Sequence, residues 1–158
     1  MTDTEIFLVD SNILIYAHDK LEDKKHNIAR DLIESRIDQK LQLAVSAQNL
    51  SEFFNVTTRK SMLTKKDAKE IVSDIINFTN WIKIDFTHKT VLEAAEISEQ
   101  HSMSYWDSLL AATMKQNSIL NIYTENIKDF KVPWLNVVDP FEKKPKKNKQ
   151  SLNMPHIQ

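Results

Sequence analysis

The stretch that decides the fold is Phe7-Leu8-Val9-Asp10-Ser11-Asn12-Ile13-Leu14-Ile15-Tyr16. An apolar run from Ile6 to Val9 ends at an acid, which predicts a short buried strand that stops at Asp10. Ser11 and Asn12 can cap a helix, and the apolar residues after them can form its first turns. Open α/β sheets bind ligands at the carboxyl ends of their strands, so Asp10 is expected at a ligand site. A strand-end or capping role alone would also explain this acid.

Composition restricts the class of protein. The 158 residues suffice for one domain with a sizeable core, and 41% hydrophobic and 27% charged residues are typical of a globular chain. There is no bilayer-length apolar run and no signal-peptide pattern, so we expect a cytoplasmic protein without a membrane segment. The chain has no cysteine and no glycine. Thiolate metal sites, glycine-rich phosphate loops, dinucleotide fingerprints and G-x-S-x-G nucleophile elbows are therefore excluded.

The charge is unevenly distributed along the chain. Residues 141–158 contain five lysines and one glutamate, a net charge of +4, so residues 1–140 carry −5 of the total of −1. We therefore predict one domain over residues 1–140 and a flexible lysine-rich tail over 141–158. The tail could contact nucleic acid, although simple solvation explains it as well.

Strand-like and helix-like patterns alternate along the domain. Ser46 is a good cap for a helix to about Lys60, and Glu52 lies roughly opposite the apolar face of this helix. The next helix is expected over 64–78 with its apolar residues inward, namely Ala68, Ile71, Val72, Ile75 and Ile76. The predicted order is a strand followed by two helices, repeated three times, and then two more strands. The strands are expected at 6–9, 41–45, 81–85, 119–123 and 136–138. This alternation predicts a three-layer α/β/α fold with a mainly parallel sheet.

Three acids follow a common rule on this fold. Asp10 ends a strand, Glu52 lies early in the helix after the second strand, and Asp107 begins the helix before the fourth strand. All three can converge at one sheet edge, beside the polar turn 124–130. Carboxylates without cysteines suit a hard cation such as Mg²⁺ or Mn²⁺, which would also offset their mutual repulsion. The alternatives are a solvated helix acid for Glu52 and a capping box between Ser104 and Asp107.

Four segments that contain these acids resemble the ordered motifs of PIN-domain nucleases, and most closely those of VapC-like toxins. The segments are Val9-Asp10-Ser11-Asn12-Ile13-Leu14, Ser46-Ala47-Gln48-Asn49-Leu50-Ser51-Glu52, Tyr105-Trp106-Asp107-Ser108-Leu109-Leu110-Ala111-Ala112 and Tyr123-Thr124-Glu125-Asn126. The resemblance spans residues 6 to about 140. It implies a metal-dependent ribonuclease, usually a homodimer, that is inhibited by a cognate antitoxin.

The resemblance also implies roles for the site residues. Asp10 and Asp107 would hold the principal ion, and Glu52 would bind or orient the attacking water. The supporting hydrogen-bond residues would be Ser11, Asn12 and Thr124.

The fourth motif departs from the family pattern. Many relatives have Asp two positions after Thr124, whereas this chain has Asn126. Asn can bind a cation through its oxygen but adds no charge, and Asp129 one turn later could restore that charge. We expect Glu125 to point into solvent.

Partner surfaces and two other functions stay open at this stage. Ile28, Leu32 and the helix around Ile71 to Ile76 offer apolar surface for an antitoxin, or plain core. A basic patch for phosphate is possible at Arg59, Lys60, Lys65 and Lys66, although ordinary solvation explains it too. A haloacid-dehalogenase-like phosphatase also begins with a strand ending in Asp, but Asn12 occupies the position of its second Asp. A catalytically silent PIN-like module that binds a partner is the other alternative.

Overall fold

The structure, a computed structural model, describes residues 5–142. Five strands form one parallel sheet in the order β3-β2-β1-β4-β5. The strands are β1 (Phe7–Val9), β2 (Leu43–Ser46), β3 (Trp81–Ile84), β4 (Asn121–Tyr123) and β5 (Asn136–Val138). The helices are α1 (Ser11–His18), α2 (Asp23–Asp38), α3 (Ala47–Arg59), α4 (Lys65–Asn77), α5 (His88–His101) and α6 (Tyr105–Gln116), with a short 3₁₀ turn at Ile127–Asp129. The predicted α/β fold and its element order are confirmed.

Strand β1 lies at the centre of the sheet and contributes to both sides of the core. Leu8 packs in the layer that holds α5 and α6, whereas Phe7 and Val9 pack in the layer of α1 to α4. Side chains alternate between the two faces of a strand, and helices cover both faces here. Burial on both faces explains why the strand is apolar at every position. The sheet and the helices on its two faces form the three layers of the fold.

Hydrogen-bonded caps fix where the helices that carry the acids begin. The Ser46 hydroxyl accepts from the Asn49 backbone N–H at 3.0 Å and starts α3. The Ser104 hydroxyl accepts from the Asp107 N–H at 3.2 Å and starts α6. Each cap satisfies a backbone donor that would otherwise lack a partner, so Glu52 and Asp107 have defined positions near the helix starts.

The structure corrects two details of the predicted helices. Asp10, rather than Ser11 or Asn12, is the N-cap of α1. Ile76 is 47% exposed, because one residue step of about 100° turns it away from the buried Ile75. The prediction that Ile76 faces inward was wrong.

The described residues end just past the predicted domain boundary. The Phe141 ring packs edge-on against Tyr16 with 5.3 Å between ring centroids. Most of the predicted lysine-rich tail, residues 143–158, lies outside the described residues. In the part of the chain that the structure describes, no helix has the length and hydropathy needed to cross a bilayer.

Candidate active site

Asp10 lies at the carboxyl end of the central strand and is only 7% exposed. Its Oδ1 accepts hydrogen bonds from the Ser11 N–H at 2.8 Å and from the Asn49 amide at 3.2 Å. Its Oδ2 accepts from the Thr124 hydroxyl at 2.8 Å. Burial, with a smaller contribution from the charges of Glu52 and Asp107, raises the pKa of Asp10 to about 6, although the hydrogen bonds from Thr124 and Ser11 favour the charged form. This carboxylate is therefore held in place at an electrostatic cost.

Glu52 projects from α3 towards Asp10 and is linked to it through one hydroxyl. The Ser11 Oγ donates to Glu52 Oε2 at 2.6 Å and lies 3.4 Å from Asp10 Oδ1. The Gln48 amide donates to Glu52 Oε1 at 3.2 Å. The solvated-helix interpretation of Glu52 does not describe this side chain, which is half-buried and hydrogen-bonded at both oxygens.

Asp107 completes the acidic group from the start of α6. Its Oδ2 accepts from the Ser104 hydroxyl at 2.7 Å, and the Ser104 Oγ caps the helix by accepting from the Asp107 N–H. In the described residues the Ser104 backbone N–H does not donate to this carboxylate, so only half of the predicted capping box forms. Partial burial raises the pKa of Asp107, and the charges of Asp129 and Glu52 raise it further. Asp107 therefore contacts the capping serine and also lies within the electrostatic field of the other carboxylates.

The turn after β4 supplies the remaining polar groups. Thr124 is fully buried, and its Oγ1 accepts from the Asn12 amide at 3.1 Å and from the Asn126 N–H at 3.2 Å. Asn126 and Asp129 are both exposed. The Asp129 charge acts on Asp107, whereas Asn126 contributes its backbone to the turn.

Glu125 does not point into solvent, so that prediction was wrong. Its carboxylate accepts from the Tyr16 hydroxyl at 3.0 Å and pairs with the Lys25 ammonium at 2.9 Å. Lys25 also lies over the Tyr16 ring at 4.8 Å and the Phe141 ring at 5.3 Å from the centroids. This cluster ties the turn to α1 and α2, so Glu125 holds the turn instead of facing solvent.

Two residues of the second motif have contacts that the sequence analysis did not assign. Asn49 is fully buried and bridges Asp10 to the Ser46 backbone N–H, from which its Oδ1 accepts at 3.1 Å. Gln48 connects Glu52 to the backbone carbonyl of Trp106 at 3.0 Å. A possible signal was the position of Asn49 three residues after the cap Ser46, where a capping-box partner is expected.

The donor set suits a hard divalent cation. The acidic side chains are all carboxylates, and a cation would offset the burial and the mutual repulsion that raise the pKa of both Asp10 and Asp107. Within residues 5–142, no three Asp, Glu, His or Cys side chains are grouped closely enough to surround an ion as they stand. Ser11 and Ser104 each donate to one oxygen of Glu52 and Asp107, so these two carboxylates would have to move closer to Asp10 to share an ion with it.

Comparison with known proteins identifies the family. The PIN-domain family profile matches residues 7–132, most of the described domain. The chain belongs to the PIN-domain family. Family membership supports a nuclease, which is a hydrolase, and nucleases of this family generally depend on divalent metal ions. It also favours this fold over a haloacid-dehalogenase-like phosphatase, whose second Asp is absent because Asn12 stands there.

Several solved structures share the fold. The VapC20 toxin of Mycobacterium tuberculosis, which cleaves the sarcin–ricin loop, is 20% identical with a TM-score of 0.60 over 75% of this chain and 87% of its own. A toxin–antitoxin complex from Klebsiella pneumoniae is 21% identical with a TM-score of 0.61 over 87% and 99%. VapBC2 from Rickettsia felis, bound to a promoter DNA fragment, is 25% identical with a TM-score of 0.58 over 84% and 97%. A comparison with curated sequences finds no match.

The raised pKa of Asp10 predicts a pH-dependent stability in metal-free protein. With a folded pKa of about 6 and an ordinary value of 3.8, the folded state keeps a proton that the unfolded state has released. Stability should therefore fall as the pH rises from about 4 to about 6 and then level off, a cost of about 2–3 kcal/mol from this group.

The measurement is urea unfolding in a chelator at several pH values, for wild type and for Asp10→Asn. The difference between the two curves isolates Asp10 from His18, whose pKa is lowered by burial. We expect the variant to gain stability over wild type above pH 6, with Asp74→Asn, an exposed acid on α4, as the matched control. A pH-independent difference would contradict the proposed electrostatic cost.

Proposed function

We propose that this protein is a metal-dependent endoribonuclease and the toxin of a toxin–antitoxin pair. The observation that carries the proposal is the approach of Asp10, Glu52 and Asp107 at the carboxyl end of a parallel sheet in a PIN-domain chain. The similar VapC20 structure is named as a toxin that cleaves the sarcin–ricin loop, which supports RNA as the substrate class proposed here. A cytoplasmic location, where RNA is abundant, belongs to the same proposal.

Each acid has a separate task in the proposed reaction. Asp10 and Asp107 would hold the principal Mg²⁺ or Mn²⁺ ion, and Glu52 would bind that ion or orient the attacking water. The bound ion would supply positive charge to the phosphate and lower the pKa of water. Because the Ser11 hydroxyl contacts both Asp10 and Glu52, it would fix the direction of the Glu52 carboxylate. Asn12 and Thr124 would keep Asp10 ionised and aimed at the site.

We place Asn126 and Asp129 at the edge of the ion site. Asn126 can offer its amide oxygen, but Asp129 adds the charge that relatives obtain from an Asp at the Asn126 position. Three carboxylates would bind one ion well, and Asp129 would contribute once the phosphate of the substrate arrives. The Asp129 charge already reaches Asp107 in the free protein, which supports this assignment.

We infer that an antitoxin segment binds in a groove whose lining includes Asn12, a neighbour of Asp10. The groove has a volume of about 430 Å³ between α1 and α3, and its lining includes Asn12, Ile15, Tyr16, Leu21, Val56 and Met62. Asn12 reaches from this groove to Asp10, so a bound segment would lie close to the acids. Homodimerisation, usual in the family, is part of the same proposal, and Leu92 on α5 offers apolar surface at 66% exposure.

Only part of the apolar surface that the sequence predicted for an antitoxin is accessible. Ile28 and Leu32 line another groove, of about 790 Å³, together with Val137 and Val138. On α4, Ile75 is buried in the core and is not available to a partner. The basic residues Arg59, Lys60, Lys65 and Lys66 are all exposed, which both a phosphate patch and plain solvation require.

Removal of either metal-holding acid should abolish cleavage. Asp10→Asn and Asp107→Asn are each expected to reduce Mn²⁺-dependent RNA cleavage by at least about 1,000-fold, a loss of about 4 kcal/mol of transition-state stabilisation, with the fold retained. Single-turnover cleavage and circular dichroism on the same preparations provide the measurement, with Asp74→Asn as the control. Wild-type rates in either folded variant would disprove the metal role. A folded wild type that cleaves no RNA would instead favour the silent module.

Asp129 should affect the reaction more than the binding of the first ion. We expect Asp129→Asn to leave Mn²⁺ affinity within a few-fold but to lower the cleavage rate about ten-fold or more, since it acts once RNA is present. Asn126→Asp should be tolerated and should bind Mn²⁺ at least as tightly as wild type. Titration calorimetry and single-turnover cleavage separate the two effects. If Asp129→Asn cuts at the wild-type rate, Asp129 is only a turn residue.

The toxin assignment predicts a cellular effect. Expression of the active chain should arrest growth, and co-expression of a small protein encoded beside it should restore growth. Asp10→Asn expressed at the same level is the matched control and should be harmless. Normal growth of cells that contain demonstrably active enzyme would contradict the toxin role.

A further inference from the structure

A pocket of about 490 Å³ adjoins the acidic group on the side of Glu52. It is lined by Gln48, Ser51, Glu52, Asn55, Phe86, Trp106 and Leu109. Glu52 belongs both to this lining and to the hydrogen-bonded group around Asp10. Trp106 directly precedes Asp107 on α6, and the Gln48 side chain connects Glu52 to the Trp106 carbonyl.

The pocket exposes two aromatic rings at a cost in hydrophobic free energy. Trp106 is 63% exposed and Phe86 is 41% exposed, whereas Trp81 is buried in the core. Trp106 is nevertheless held in place, because Tyr105 packs edge-on against its ring at 5.2 Å and the Gln48 amide binds its carbonyl. Large apolar side chains held at a surface in this way are typical of binding sites.

The chemistry of the lining selects a nucleobase over a phosphate. It contains one carboxylate and no Lys, Arg or His, so a phosphate would be repelled. Aromatic rings offer flat faces on which an unstacked base can stack, the usual mode of single-stranded RNA recognition. The side chains of Ser51 and Asn55 can form hydrogen bonds with the edge of a base. The buried Gln48 Oε1 has no hydrogen-bond partner among the described residues.

We propose that this pocket binds one unpaired base of the RNA next to the phosphate that is cut, with Trp106 as the stacking platform. The proposal rests on the proposed ribonuclease function and adds to it a base-binding pocket with a named stacking residue. A second copy of the chain is the competing occupant. The shared Glu52 favours the base, because it places the pocket next to the acids at which the phosphate would be cut.

The first experiment uses an RNA whose cut position has been mapped with the wild-type protein. Versions that lack one base at a time around the cut are compared in single-turnover cleavage by wild type and Trp106→Ala. We expect one missing base to slow wild type about ten-fold or more, and the same base to make little difference to Trp106→Ala. Trp106→Phe should recover most of the dependence. Phe78→Ala, an exposed aromatic outside the pocket, is the matched control.

A second measurement does not depend on cleavage. Tryptophan fluorescence is followed while a short phosphorothioate RNA of mixed sequence is added to the full-length protein. Stacking should quench the emission of wild type, and Trp106→Phe should lose most of that quenching. If wild type cuts no RNA but is quenched through Trp106, the proposed function fails and the base pocket stands.

Two results would overturn the pocket proposal. One is equal base dependence in wild type and Trp106→Ala together with equal quenching in wild type and Trp106→Phe. The other is a change from dimer to monomer in Trp106→Ala by light scattering with no change in base dependence, which would assign the pocket to a second copy of the chain.

Discussion

The buried carboxylate of Asp10 is the constraint on which the rest of the site depends. The central strand delivers it to the edge of the sheet, where Ser11, Asn49 and Thr124 donate to it from three different elements. A buried charge without such donors would be too costly to keep ionised. The caps of α1 and α3 and the turn after β4 thus serve the same purpose, because each places a donor against this one side chain.

The neighbouring acids are subject to the same balance between charge repulsion and hydrogen bonding. Glu52 and Asp107 both raise the pKa of Asp10, and each is itself held by a serine hydroxyl. The three carboxylates repel one another, while the Ser11 hydroxyl bridges Glu52 to Asp10 and the Ser104 hydroxyl holds Asp107. Within the described residues, these acids are not gathered closely enough to surround an ion. Their repulsion explains why a hard divalent cation is the natural complement.

The sequence was most informative where local rules decide the structure. Short apolar runs bounded by polar residues indicated the strands, and serine or threonine caps indicated helix starts. Asn136–Val138 matches its predicted bounds. The exposed side of α4 was misjudged at Ile76, because a run of two isoleucines does not show which one faces the core. The identities of Asp10, Glu52 and Asp107 came from topology together with the family resemblance.

Contacts between distant parts of the chain could not be read from the sequence. Asn49 reaches Asp10 across 39 positions, and Gln48 reaches Trp106 across 58. Glu125 was expected in solvent because its partner Lys25 lies 100 positions earlier, on a helix whose packing the local pattern does not specify. Polar residues in a motif can therefore be recognised locally, whereas the partner that each one binds depends on the folded arrangement.

The central claim is that burial disfavours the charged form of Asp10 and that a bound cation stabilises this form. Carbon-detected NMR titration of the Asp10 carboxyl group, with Asp10→Asn to assign the signal, measures this directly without and with Mg²⁺. The account predicts a pKa near 6 in metal-free protein, and a clear fall when Mg²⁺ is added. An ordinary pKa near 3.8 that does not respond to Mg²⁺ would contradict it.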